Sequence, residues 1–211
     1  MIKSKKETQR TINAQETKNT IFNSALKLFY EFSYDRVTIA DIAELAGVSK
    51  GNFYNHFKSK DSILVEQFRR IDGRYSEVFD KLPPGMTAGD KLRKLISTMC
   101  DYCENICGVN AIKVSYSNQI SANKHVEILM NYDRPFYAYL HEIVRQGQSC
   151  GEFRDDIQED YMITIISRYC RALVYDWCLS GDGFNLCKEG ERYAEFVLES
   201  LNKPDRSPLR A

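Results

Sequence analysis

The apolar residues of this chain recur at threes and fours from one end to the other, and strand-like alternation is nearly absent. That period constrains the fold more than any other feature. Each segment can bury one stripe of a helix, and the stripes need one another. From Gln15 to Phe32, the residues Ile21, Ala25, Leu28, Phe29 and Phe32 make one amphipathic helix. Ile63, Leu64, Phe68 and Ile71 carry another from Asp61 toward Leu82, where Pro83-Pro84-Gly85 ends it. Thr87 to Asp90 reads as a cap for a helix through Leu92, Leu95, Ile96, Met99, Cys103 and Ile106, stopped near Gly108. Segments from Ala111 to Ile120, Val126 to Gln148, Asp160 to Leu179 and Leu186 to Leu201 complete the series. Pro135 must kink the second of these or open a new helix. The expected class is all-α, with about nine helices.

The 211 residues suffice for a buried core without staples, and seven cysteines, an odd number, are expected to stay reduced. The longest apolar stretch, Tyr161 to Ile166, is far short of a membrane span, and the polar N-terminus has no apolar leader region. The expected location is cytoplasmic. Basic and acidic residues balance at 29 each, but not evenly along the chain. Residues 1–75 hold 13 basic and 9 acidic side chains, and Ala46 to Lys60 has three lysines, a histidine and no acid. A neutral chain can therefore present a basic end to a polyanion.

The most informative stretch is Val37 to Lys60, VTIADIAELAGVSKGNFYNHFKSK. Thr38 to Asp41 reads as a capping box opening a short helix that Gly47 closes, and Ser49 caps another through His56. Ala43 is small where two helices cross closely, while Ile42, Val48, Phe53 and Phe57 face inward. Lys50, Asn52, Tyr54, Asn55 and His56 remain outward. Lysine and asparagine can read base edges in a major groove, and serine, tyrosine and histidine suit phosphates. Gly51 lets the backbone approach DNA, and the free amides at Ser49 can hold an anion. Two short helices joined by a glycine turn make a helix-turn-helix.

Here the sequence resembles the TetR (tetracycline-repressor) family of bacterial transcription regulators. The resemblance rests on Thr38, Ile42, Ala43, Ala46, Gly47, Val48, Ser49, Gly51, Tyr54, His56, Phe57, Ser59 and Lys60, thirteen positions without a gap. It implies that Thr38, Tyr54, His56 and Lys60 grip phosphates while Lys50, Asn52 and Asn55 face base edges. It also implies a ligand-responsive regulator, a repressor released from a pseudo-palindromic operator by a small molecule. Its partners would be duplex DNA, that effector and a second copy of the chain, with no membrane. Gly147 to Arg154, GQSCGEFR, also resembles a recurrent turn of TetR-type C-terminal domains.

The expected organisation is a flexible basic arm at 1–14, the helix-turn-helix domain at 15–60, a connecting helix at 61–82, a helical ligand-binding and dimerisation domain at 86–202, and a frayed tail at 203–211. Met99, Cys103, Tyr116, Tyr132, Phe136, Tyr139 and Tyr169 are candidates to line a ligand cavity, since tyrosine joins an apolar body to a polar tip. Aromatics at helical spacing also serve as plain core. Arg168 suits an anionic ligand or a pairing with Asp133 or Glu142. Cys170, Leu173, Val174 and Trp177, with Tyr193, Phe196 and Val197, carry more apolar surface than one helix pair needs, and are candidates for a dimer interface. An alternative reading makes Cys100, Cys103 and Cys107, on one face of one helix, a thiol or soft-metal sensor. No catalytic constellation emerges, and neither a cofactor nor a resident metal is expected.

Overall fold

A computed structural model describes residues 2–120, 127–181 and 183–202, with side chains from residue 9 onward. The tail at 203–211 and His125 lie outside the described residues. Among those described, nine α-helices and one π-helical segment account for all regular structure, apart from one isolated bridge between Phe153 and Asn202. The fold is all-α, as the periodicity predicts. No helix among the described residues is long and apolar enough to cross a membrane.

The chain forms two compact units. The first holds residues 1–68 and 110–129. Helix α1 is Ile2–Phe32, α2 is Ile39–Leu45, α3 is Lys50–His56, and α4, Asp61–Phe79, gives its first eight residues to this unit. Helix α6, Val109–Ile120, packs here too. The core is Ile21, Phe22, Ala25, Leu26 and Phe29 of α1 against Ile42, Ala43, Phe53, Phe57, Ile63 and Leu64. A buried polar latch joins α4 to α6: the Gln67 side-chain amide donates to the Ala111 carbonyl at 3.1 Å, and Ser115 Oγ donates to Gln67 Oε1 at 2.6 Å. Helix α1 is longer than its periodicity suggests. Its backbone is helical from Ile2, so the stretch expected to be a flexible arm continues the helix.

The second unit holds residues 69–109 and 130–211. Helix α5 is Ala88–Asp101, and a π segment, Tyr102–Cys107, follows it directly. Here Gly108 N–H bonds the Cys103 carbonyl, five residues back, and Gly108 takes φ +77°. Helices α7 (Pro135–Ser149), α8 (Glu159–Ser180) and α9 (Leu186–Leu201) complete the unit. Pro135 sits in the first turn of α7, where its missing N–H costs no hydrogen bond, so residues 127–134 stay outside the helix.

Two carboxylates distant in sequence close two helix starts. Glu152 accepts from Ala88 N and Gly89 N at the head of α5, at 2.8 and 2.7 Å. Glu104, on the π segment, accepts from Leu186 N and Cys187 N at the head of α9, at 2.8 and 3.1 Å. Each supplies an acceptor to amides that a helix leaves unbonded. Helices α5 and α9 touch through Gly190, where a Cβ would fall 2.4 Å from Cys100 Sγ. Only hydrogen fits there.

Candidate nucleic-acid interface

The local chemistry of residues 33–61 builds a small rigid hairpin of helices. Ser33 takes φ +69° and turns the chain out of α1. Thr38 then caps α2: its hydroxyl accepts from Asp41 N at 3.2 Å, while its own N–H donates to the Asp41 carboxylate at 2.8 Å. The Thr38 N–H, and the Thr38 hydroxyl donating to Asp41 Oδ2 at 2.8 Å, hold the Asp41 carboxyl below its usual range. Gly47, at φ +67°, makes the turn, and its neighbour Val48 N–H bonds the Ala43 carbonyl at 2.9 Å. Ser49 caps α3 by accepting from Asn52 N at 3.1 Å. Phe53 has no exposure and Phe57 nearly none, their rings 5.9 Å apart, so α3 is pinned from behind.

With Phe53 fixed inward, helix periodicity places Lys50, Tyr54 and Asn55 on the outer side. All three are exposed, Tyr54 at 55%. Asn52 and His56 flank that face half-buried, and Gly51 is exposed, with only Ser49 Oγ, at 3.8 Å, near where a Cβ would stand. Ser49, Lys50, Gly51, Asn52, Tyr54, Asn55 and His56 are thus brought together on one short helix. The exposed Lys58 follows it immediately and extends the basic edge, an addition to the residues expected from the motif.

Two expected phosphate ligands are otherwise engaged. The Thr38 hydroxyl is used by the capping box and lies 2.8 Å from Asp41 Oδ2. The Lys60 ammonium points into the unit: it donates to the Tyr34 carbonyl at 2.9 Å and the Val37 carbonyl at 2.8 Å, and sits 4.5 Å from the centre of the Tyr34 ring. Next to it, the Tyr34 hydroxyl donates to Asp61 Oδ1 at 2.5 Å. Burial and the Asp61 carboxylate push the Tyr34 phenol far up, so it stays a neutral donor. Residues before α2 and after α3 are thereby clipped together, closing the helix pair at its base. Spacing alone did not reveal Tyr34 and Asp61, since their pairing spans 27 residues of sequence.

The candidate ligand residues divide between the units. Tyr116 belongs to the first and the other six to the second. Met99, Cys103 and Phe136 are buried, Tyr139 and Tyr169 half-buried, and Tyr132 exposed. The aromatics form pairs: Tyr75 with Phe136 at 5.7 Å, Phe79 with Tyr139 at 4.3 Å, Tyr132 with Tyr137 at 4.6 Å. Two arginines flank this group. Arg134 holds Asp72 with two bonds at 3.0 and 2.9 Å, and Arg171 donates to the Tyr137 hydroxyl at 3.0 Å. Arg168 is exposed instead.

Most of the expected dimer residues are internal. Cys170, Leu173, Val174, Trp177 and Val197 are buried within the chain's own core, Tyr193 is half-buried, and only Phe196 stands out, 62% exposed. Helix α8 has two apolar stripes, and the stronger one faces α7 and α9. Of the three cysteines of the sensor reading, Cys100 and Cys103 read as core, while Cys107 is half-buried. Cys100 and Cys103 are buried, and burial pushes both thiols well above their usual range, as it pushes Cys170 up to about 12. Neutral thiols are poor nucleophiles and poor metal ligands. No group of three metal-ligating side chains is found among the described residues.

Comparison with known proteins agrees with this geometry. Residues 21–66 match the model for bacterial regulatory proteins of the tetR family, from the last part of α1 to the start of α4. The HTH-type transcriptional repressor KstR2 of Rhodococcus jostii is 24% identical over 188 residues, covering 87% of this chain and 90% of that protein. The fatty acid degradation regulator FadR of Bacillus halodurans superposes with a TM-score of 0.74 at 18% identity, over 92% of this chain and 96% of that one. FadR of Bacillus subtilis, solved in complex with stearoyl-CoA, gives 0.72 at 22% identity, over 87% and 98%. With their capped α2–α3 pair and outward Lys50, Tyr54 and Asn55, residues 21–66 carry the DNA-binding region described by the model for bacterial regulatory proteins of the tetR family.

Proposed function

We propose that this chain is a cytoplasmic, ligand-responsive transcriptional repressor with no catalytic role, holding a pseudo-palindromic operator as a homodimer and releasing it on binding a small molecule. The observation that carries this reading is α3 itself: Phe53 and Phe57 anchor it while Lys50, Tyr54 and Asn55 stand free on its far side. Lys50 and Asn55, with the flanking Asn52, suit base edges; Tyr54, His56 and Lys58 suit phosphates. One helix of seven residues reaches only a few bases, and two half-sites about 34–36 Å apart, or a multiple, restore affinity.

The test is selection of duplexes from a randomised pool, followed by binding against salt. The parent chain is expected to lose about 0.9 log units of affinity per decade of salt for each phosphate neutralised. Asn55→Ala should cost about 1–3 kcal/mol and relax selectivity at one base position. A chain that enriches no sequence, or binds with a flat salt profile, overturns the reading.

For the dimer, the geometry supports a different surface from the one the spacing suggests. Tyr161, Arg168, Ala172, Tyr175 and Leu179 form an exposed stripe along α8, and Phe196 extends it on α9. Leu179 is 67% exposed, costly for a lone chain in water. Leu179→Asp with Phe196→Asp is expected to give a folded monomer by sedimentation, with operator affinity reduced at least about 10²-fold. An intact dimer in that variant would place the interface elsewhere.

Effector binding belongs to the second unit, whose aromatic pairs and flanking Arg134 and Arg171 suit a partly apolar molecule with a polar end. Relatives named for fatty-acid regulation, one of them holding stearoyl-CoA, support a small organic effector. Because α4 gives residues to both units, a shift along it is the route by which the effector changes operator affinity. A 10²-fold change needs only about 2.7 kcal/mol of effector preference for the released state.

A further inference from the structure

On the reading that a small molecule bound in the second unit releases DNA, we infer that this effector is an organic carboxylate and that it acts by taking Arg134 from Asp72. Asp72 is on α4, and Arg134 is the residue before Pro135 at the head of α7. The Arg134 guanidinium donates to both carboxylate oxygens of Asp72, Nε to Oδ2 at 3.0 Å and Nη2 to Oδ1 at 2.9 Å. Each side chain is only 12% exposed. This planar two-bond fork is the geometry in which arginine recognises a carboxylate. Asp72 thus already occupies, within the chain, the seat that a ligand carboxylate would take.

The seat has a second cation and an aromatic wall. Arg171, on α8, donates to the Tyr137 hydroxyl at 3.0 Å. Burial pushes the Tyr137 phenol up, and the charges of Arg171 and Arg134 draw it part of the way back, so both guanidinium groups lie near one ring. Tyr137 is buried, and Tyr132 packs on it with ring centres 4.6 Å apart. Tyr132 is about half exposed and sits in the non-helical stretch 127–134, which opens this wall to solvent. An apolar or flat ligand body finds aromatic faces here, and its carboxylate finds two cations.

A buried ion pair adds little net stability over apolar side chains of the same volume, and its best-attested service is to fix one arrangement among several. Here the arrangement fixed is that of α4. Asp72 stands one turn beyond Phe68, the last α4 residue of the first unit. A carboxylate that has lost its partner is too costly to leave buried. When a ligand carboxylate takes Arg134, Asp72 must turn to water, and α4 turns with it.

The test uses the full chain, with calorimetry for ligand binding and fluorescence polarisation on a selected duplex for operator affinity. The probes are 4-phenylbutyrate and decanoate, each beside its primary amide, which keeps the shape and removes the charge. Each acid is expected to bind the parent chain at least about tenfold more tightly than its amide. Asp72→Asn and Arg134→Gln both open the pair, so each should weaken operator binding at least about tenfold. Toward the acids the two should part. Asp72→Asn should bind them at least about tenfold more tightly, because no competitor has to be displaced, while Arg134→Gln should lose the preference over the amides. A merely structural pair would change both variants alike. If Asp72→Asn fails to fold, the double variant Asp72→Asn, Arg134→Gln removes both charges at once. It should bind operator weakly and bind acid and amide equally. Acids that bind no better than their amides, single variants that respond alike, or a double variant that still prefers the acids overturn the inference and leave the repressor reading standing. A parent chain that enriches no duplex defeats the repressor reading, while calorimetry still decides whether Arg134 takes a ligand carboxylate.

Discussion

Replacing Lys60 with methionine is expected to destabilise the first unit by about 3 kcal/mol and to abolish DNA binding at every salt concentration. The ammonium donates to the carbonyls of Tyr34 and Val37 and lies over the Tyr34 ring. A hydrogen bond from a charged donor contributes about 1.5–3 kcal/mol, and its removal leaves two part-buried carbonyls without that partner. Methionine retains most of the side-chain volume, so the loss is polar and not steric. Melting followed by tryptophan fluorescence would miss the event, since Trp177, the single tryptophan, lies in the second unit. Far-UV circular dichroism and amide exchange in α2 and α3 are the proper readouts. A phosphate ligand would behave in the opposite way, with an unchanged melt and a salt slope reduced by about 0.9. That result would restore Lys60 to the DNA face.

Gly147→Ala is expected to lower the melting temperature of the second unit by about 10 °C, the equivalent of roughly 3 kcal/mol. A Cβ at Gly147 would fall 2.2 Å from Cδ2 of Phe153 and 2.6 Å from Cγ and Cε2. Phe153 is fully buried, and its N–H bonds the Gly147 carbonyl at 2.9 Å, so neither ring nor backbone can retreat cheaply. The same loop carries Glu152, which caps α5, and Arg154, whose N–H bonds the Leu201 carbonyl at 2.7 Å. Displacing Phe153 therefore disturbs three helices. Phe153→Ala alone should cost about 3–5 kcal/mol through a cavity, and the double variant should cost clearly less than the two losses together. Strict additivity would show that the glycine and the ring do not act on one another.

Much of the helix proposed to face DNA is legible in the sequence. Thr38, Asp41, Gly47 and Ser49 act through bonds within three or four residues, and Phe53 and Phe57 lie on one turn. Local rules of that range are written into local sequence. The helix from Leu186 to Leu201 was read to its ends for the same reason. The bonds of Lys60 to Tyr34 and Val37 were not legible because these partners lie 26 and 23 residues away, and an isolated lysine after a basic helix looks like any phosphate ligand. The burial of Cys170, Leu173, Val174 and Trp177 in the chain's own core was not legible either, because helical spacing shows that a helix has an apolar face. It does not show which of two faces the chain itself will cover.

The sequence by itself determined that this chain is helical throughout, that residues 38–56 fold into a capped pair of short helices, and that Lys50, Tyr54 and Asn55 oppose Phe53 on the second. These follow from periodicity, caps and turns, whose energies depend on neighbours along the chain. Only the tertiary structure decided that Lys60 clips the pair shut, that Phe153 sits on Gly147, and that Cys170, Leu173, Val174 and Trp177 are core while Leu179 and Phe196 face outward. Those outcomes depend on which surfaces meet when distant segments exclude water together, and burial has no period along a sequence.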